Sequence, residues 1–274
     1  MLRKSTLREI RTSLARYLAI FAIVALGVGF FSGLKDCKAS MVSTASRYLA
    51  EHNMYDYQIV SSYGIDDESV DIALGWDGVT GAEGSLQKDV LAVSGDGDSR
   101  SLKAISLPED INTLRVVEGR LPESPDECAV DDYSIADEGF TIGDSIVLTD
   151  ENDKDSLKEF KYKEFRIVGT INTPIYLDYQ RGSTDIGNGR LDTFFYVERD
   201  AIDVDYYTCL YLTMDTQAGA FSDELKDELD SAQDSMDELA KTITAARRET
   251  AMKEAQDKLD EKKQEYEDSL AKYN

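Results

Sequence analysis

The densest set of oxygen ligands in the chain is one acidic run, Asp150-Glu151-Asn152-Asp153-Lys154-Asp155, and calcium is the ion such ligands suit. The pattern fails at two positions. Lys154 and Asp155 stand where an EF-hand loop needs an oxygen ligand and a glycine, so the run reads as a solvated hairpin tip and no metal is expected. Cys37, Cys128 and Cys209 show no CxxC spacing, and His52 is the single imidazole, so a zinc site has no ligand set. The thiols are either packed as small hydrophobes or, for Cys128 and Cys209, paired as a disulfide, which spacing alone does not decide. With one histidine, Ser-His-Asp or Cys-His catalysis lacks its base. Glycines 75, 78, 81 and 84, and the pair Gly187 and Gly189, follow no dinucleotide fingerprint, and no G-x-x-x-x-G-K-[ST] loop occurs. No cofactor is expected. The chain reads as non-enzymatic, with any nucleotide hydrolysis left to a separate subunit.

The element that organises the rest is Tyr17 to Leu34, YLAIFAIVALGVGFFSGL, an apolar run of 18 residues. At 1.5 Å per residue it covers about 27 Å, close to the hydrocarbon thickness of a bilayer, and Arg16 and Lys35 can snorkel from its ends. Gly29 and Gly33 form a G-x-x-x-G pair that lets another helix approach closely. Such a face expects company, from other membrane helices, from a second copy, or from helices that lie beyond this sequence. A cleaved signal peptide is the rival reading. Its apolar core would be shorter and would end in small residues, whereas this run exits through Lys35-Asp36-Cys37-Lys38.

Charge gives the run a direction. Residues 1–35 carry a net +5 and the remainder −29, within a total of −24. Cations ahead of the helix mark the N-terminal side as cytoplasmic and place residues 35–274 outside the cell membrane. An acidic exterior excludes nucleic acid as a partner.

Five segments follow: 1–16, a basic amphipathic helix with Leu7, Ile10 and Leu14 on one stripe; 17–34, the membrane helix; 35–54, a helical stalk; 55–218, an extracytoplasmic domain; and 219–274, a long helix. Within the domain, strands are expected at Tyr57 to Ser61, Leu86 to Val93, Leu102 to Ser106, Glu127 to Val130, Ile146 to Leu148, Phe160 to Tyr162, Phe165 to Asn172, Thr193 to Val197 and Thr208 to Met214. Asp66 should cap a helix running to Leu74, the acidic Gly95-Asp96-Gly97-Asp98 should turn a hairpin, and Gly75 to Gly84 and Leu114 to Pro125 read as turns and loop. The fold class is α+β, with one transmembrane helix, a mixed but mainly antiparallel sheet domain, and a C-terminal coiled-coil helix. In that last helix Leu229, Ala232, Met236, Leu239, Ile243 and Ala246 repeat at three and four, and Ala255, Leu259, Lys262, Tyr266 and Tyr273 are expected to continue the same seam after a slip near Glu249 to Ala251.

The stretch Arg16 to Leu34 fits R-x-x-A-I-x-A-I-V-A-L-G-V-G-F-F-x-G-L, and it is followed by Glu118-Gly119-Arg120-Leu121-Pro122, Asp126-Glu127-Cys128-Ala129-Val130, the Gly139 to Leu148 strand, Phe165-Arg166-Ile167-Val168-Gly169-Thr170, and Tyr176 to Val197 with Gly187 and Gly189. In these residues the chain resembles the FtsX-like permease subunits of ABC transporters, and its exterior part the MacB-like periplasmic core domain. The resemblance implies the N-terminal part of a permease that works with a cytoplasmic ABC ATPase subunit and passes its motion to an exterior domain, whose substrate or partner is unknown. It also implies that further membrane helices complete the bundle. A single-pass scaffold whose coiled coil binds an envelope partner is the alternative from a different class, and a membrane-anchored hydrolase is the least supported.

Overall fold

The computed structural model describes residues 14–93, 97–137, 139–216 and 218–273. The expected amphipathic helix before Leu14 and the first residues of the Gly95 turn lie outside the described residues. By contacts the chain divides after Tyr48.

Helix α1, Leu14–Glu51, runs unbroken for 38 residues and is long and apolar enough to cross a membrane by length and composition. It contains no proline. Asn53 ends it in the left-handed region (φ 47°), with the Asn53 amide donating to the Ala50 carbonyl and that of Met54 to Leu49, which is a standard use of asparagine after a helix.

A three-stranded antiparallel sheet holds β1 (Tyr57–Ile65), β10 (Tyr207–Met214) and β2 (Val79–Ser85) in the order β1-β10-β2. One face of it carries Ile65, Leu210 and Leu212, covered by α2 (Asp67–Leu74) and by α5, an unbroken helix over Asp223–Tyr273. The other face carries Cys209 and Tyr211 against Ile111 and Tyr55. Asp66 caps α2 as expected, accepting from the Ser69 amide at 2.9 Å.

Among the described residues the larger sheet has seven strands, ordered β5 (Arg115–Gly119), β8 (Glu164–Asn172), β6 (Glu127–Asp131), β9 (Thr193–Val197), β4 (Ser99–Ser106), β3 (Gln87–Val93) and β7 (Ser145–Leu148). β7 also pairs with β8, so six strands close into a barrel and β5 branches off it. The pairings β4–β9 and β6–β8 are parallel and the others antiparallel, so the sheet is mixed and mainly antiparallel, as expected. Alternate residues from all six strands fill the barrel, among them Val90, Leu102, Cys128, Ile146, Phe165 and Phe195. β6 and β9 are buried on both faces, which explains the apolar runs Cys128 to Val130 and Phe194 to Val197.

Several expectations need correction. Gly75 to Gly84 is not all turn: β2 occupies its second half, where Gly84 lies beneath the Tyr207 ring and any side chain would collide with it. Leu114 to Pro125 holds β5, whose exposed residues carry no alternation to betray a strand. Phe160 to Tyr162 forms only an isolated bridge to Ile202, and the short helices α3 (Asp132–Asp137) and α4 (Lys154–Lys158) were not foreseen. The acidic run lies in the connection between the antiparallel strands β7 and β8, as expected of a hairpin tip, and leads into α4, with the Asp153 carboxylate accepting from the Asp155 and Ser156 amides at 3.0 Å each.

α5 is fastened to the small sheet over its first half only. Met236, Leu239 and Ile243 are buried there, the Trp76 indole donates to Ser235 at 2.9 Å, and the Tyr57 hydroxyl donates to the Leu229 carbonyl. Leu239 is 0% exposed and Leu259 50%. In urea unfolding followed by circular dichroism, Leu239→Ala is expected to cost about 3 kcal/mol, against less than about 0.5 kcal/mol for Leu259→Ala. Equal effects would mean that the first half of α5 is not docked.

Candidate functional site

The Glu118 to Pro122 motif and the Glu127 strand that follows it meet the sequence-distant Val168-Gly169 strand at one place on β8. The reason is steric. Gly119 sits at φ +73°, and a Cβ built on it would fall on the Val168 carbonyl oxygen, while a Cβ on Gly169 would fall on the carbonyl of Arg120. Two backbones therefore cross at a distance that only paired glycines allow. The Arg120 amide then donates to the Val168 carbonyl at 3.1 Å, which turns the chain away from β5.

That turn aims the Arg120 guanidinium at Glu127. Nη1 and Nη2 donate to the two carboxylate oxygens at 2.6 and 2.7 Å, Arg166 Nη2 adds a third bond at 2.5 Å, and the Glu123 amide a fourth at 3.2 Å. Glu127 is buried at the start of β6. Its bonds to Arg120, above all, hold its carboxyl at about 2, well below the ordinary 4.5. Glu118 is exposed on β5, Leu121 packs partly buried against the cluster of Ile105, Ala129, Ile171, Phe194 and Tyr196, and Pro122 is buried.

At the other end of β6 lies a second ion pair. Arg181 donates through Nε (2.9 Å) and Nη2 (2.5 Å) to Asp131, with both side chains buried. Its guanidinium lies 5.7, 5.8 and 5.4 Å from the rings of Tyr133, Tyr176 and Phe194, so the charge is enclosed by aromatic faces. Burial pushes the Asp131 carboxyl up, and Arg181 opposes this. Gly187 and Gly189 belong to the loop beyond. Gly187 has φ +59° and lies against Ser101 of β4, and Gly189 closes a turn by donating to the Ile186 carbonyl at 3.1 Å. The same loop is stitched to β4 by Asp192, which accepts from the Ser101 amide at 3.0 Å.

The remaining sequence candidates fall elsewhere. A Cβ added at Gly29 or Gly33 meets nothing within 4 Å, so the small-residue face of α1 is open. Cys128 and Cys209 are buried free thiols in different apolar clusters, the first in the barrel and the second beneath the small sheet, so the disulfide does not form; burial raises both thiols. Cys37 is exposed. Among the described residues no group of three metal-ligating side chains comes together. Chemically, the two ion-pair clusters can bind and orient the ends of β6 and hold loops on the barrel; they contain no nucleophile beside a base.

Sequence reasoning singled out Glu118 to Pro122 but missed Arg166, Arg181 and Asp131 as partners. The only available signal was an arginine next to a motif strand, too common to act on.

No family model matches the chain, and no curated protein matches it. Among solved structures it is similar to the extracellular domain of the noncanonic ABC-type transporter YknZ from Gram-positive bacteria, at 13% identity over 59% of this chain and 85% of that one, with a TM-score of 0.37. It is also similar to the periplasmic region of MacB from Actinobacillus actinomycetemcomitans, at 9% identity over 63% and 74% of the two chains, with a TM-score of 0.33.

Glu127 is expected to give the fold a recognisable acid response. Its carboxylate is bound in the folded state and free in the unfolded one, so its stabilisation is complete above pH 4.5 and is lost as pH falls toward about 2. Glu127→Gln should cost about 2 kcal/mol at pH 7 and should flatten the loss of stability over that acid range. A mutant as acid-sensitive as the parent would show that the clamp is not charged. Gly119→Ala should cost at least about 2 kcal/mol.

Proposed function

We propose that this chain is the N-terminal part of an FtsX-like ABC transporter permease, in which ATPase motion in the cytoplasm is passed to an extracytoplasmic domain for export or for control of an outside partner. One observation carries the reading. The stretches that give the family resemblance come together in the fold through interactions that demand those residue types, with Gly119 against Gly169 and Arg120 with Arg166 on Glu127.

In this reading residues 1–16 lie on the inner membrane face, 17–34 span the bilayer, 35–54 are the stalk, 55–218 the head and 219–274 one arm of a coiled coil. The +5 over residues 1–35 and the −29 over the remainder support this orientation. α1 continues without a break to Glu51, and an unbroken helix is a stiff connector. The backbone just after it is held within the head, where the Thr113 amide donates to the His52 carbonyl at 2.9 Å and the Asn112 amide to Asn53 at 3.0 Å. Displacement of the connector is thereby delivered to the 107–121 segment, which ends in the Glu127 clamp. Gly29 and Gly33 form the face on which further permease helices or a second permease copy pack. The catalytic work of ATP hydrolysis belongs to the ATPase subunit.

Two experiments test the reading. On intact spheroplasts a membrane-impermeant maleimide should label Cys37, and should reach Cys128 and Cys209 only after denaturation; labelling of Cys37 only after permeabilisation would reverse the orientation. Affinity purification of the membrane complex should recover an ABC ATPase subunit. That subunit should be lost from the Gly29→Leu/Gly33→Leu protein, and an unchanged complex would remove the proposed role of the glycine face.

A further inference from the structure

Helix α5 carries two apolar stripes on opposite sides. At about 100° per residue, Met236, Leu239 and Ile243 share the face that is buried against α2 and the small sheet. Met252, Leu259 and Tyr266 recur at intervals of seven and lie about 160° round the helix from that face. They are 64, 50 and 67% exposed. The distal residues therefore do not continue the proximal seam, as the sequence suggested; they begin another on the far side. The phase slip near Glu249 to Ala251 is where one seam gives way to the other. Among the described residues, every one from Met252 to Tyr266 whose side chain is described is exposed, so no element of the head covers the new stripe.

A seven-residue apolar repeat along a helix surface is the seam of a helix pair. The charges define its partner. Within about 60° of the stripe stand Arg248, Lys262 and Lys263, while every aspartate and glutamate between 248 and 266 occupies a position outside it. This in a chain of net charge −24 is a basic, apolar face set on an acidic protein. Lys262 and Lys263 extend into solvent from it, 74 and 61% exposed, each beside a carboxylate of its own helix, Glu265 at 2.8 Å and Asp260 at 3.4 Å.

We infer that residues 248–266 form a docking surface for an acidic amphipathic α-helix, one with its own seven-residue apolar repeat and carboxylates on either side of it. The inference rests on the coiled-coil reading of α5 proposed above and adds the chemistry of the partner. A second copy of the same segment in matching register is disfavoured, because it sets Lys262 and Lys263 against like charges.

The test uses the full chain in detergent and two fluorescent synthetic helices of about 28 residues, identical in their leucine seam and flanked by glutamate in one and by lysine in the other. Fluorescence anisotropy at low salt should show the glutamate helix binding about tenfold more tightly, the sum of three exposed charge pairs. Lys262→Glu/Lys263→Glu should erase that preference. Leu259→Asp should abolish binding with helix content unchanged by circular dichroism. Equal binding of the two peptides, or tighter binding of the lysine helix, overturns the charge assignment and leaves the coiled-coil reading standing. Binding of neither peptide overturns both. A dimer in analytical ultracentrifugation that Leu259→Asp abolishes would assign the face to a second copy instead.

Discussion

A β-strand has two edges, and β8 serves three partners. One edge is given to β6 over Arg166 to Ile171, and the other is divided, with Glu164 to Arg166 paired to β7 and Gly169 to Asn172 paired to β5. The handover falls at Ile167 and Val168, where the first bonds Asp144 and Gly143 and the second bonds Arg120. At that point the end of β5 passes closely over β8, and the facing glycines at 119 and 169 provide the room. Closure of the barrel, the position of the branch strand and the aim of Arg120 all follow from that division.

The ion pairs at the two ends of β6 stand in a consistent relation to it. β6 is buried throughout, so the charges at its ends are taken out of water and need full partners. Glu127 has two arginines and a backbone amide; Asp131 has one arginine enclosed by aromatic rings. Burial with incomplete compensation raises Asp131, whereas dense hydrogen bonding lowers Glu127. Such clusters add little net stability over apolar packing, but they penalise any misplacement of the strand, because a slipped register would strand a buried charge.

The legible parts of the fold were those in which local pattern and final environment agree. Thr193 to Val197 could be read to the residue because an unbroken apolar run suits a strand buried on both faces, and α1 because a long apolar run without proline forms a helix from local pattern alone. β5 was hidden by full exposure and β2 by its glycines, since both depend on what lies across from them. Glu127 is one of 54 acids, and the arginines that distinguish it lie 7 and 39 residues away. α5 was legible as a helix. That its apolar positions serve two different faces was not, because a periodicity of three and four says nothing about which neighbour each turn meets.

Asp66 performs two tasks with one carboxylate. It caps the first turn of α2 through Ser69 and meets Arg247 of α5 at 3.5 Å, while Arg247 also donates to the Tyr63 carbonyl at 3.3 Å. Although burial raises its pKa, the bonds from Ser69 and the Arg247 charge hold it below the ordinary carboxylate value. A local cap and a long-range ion pair that draw on the same group are thermodynamically linked. Tension on the distal part of α5 that lifts Arg247 would free this carboxylate to reorient and so change the fraying of α2 at its start. The amide protons of that turn are placed to act as a strain gauge for the arm.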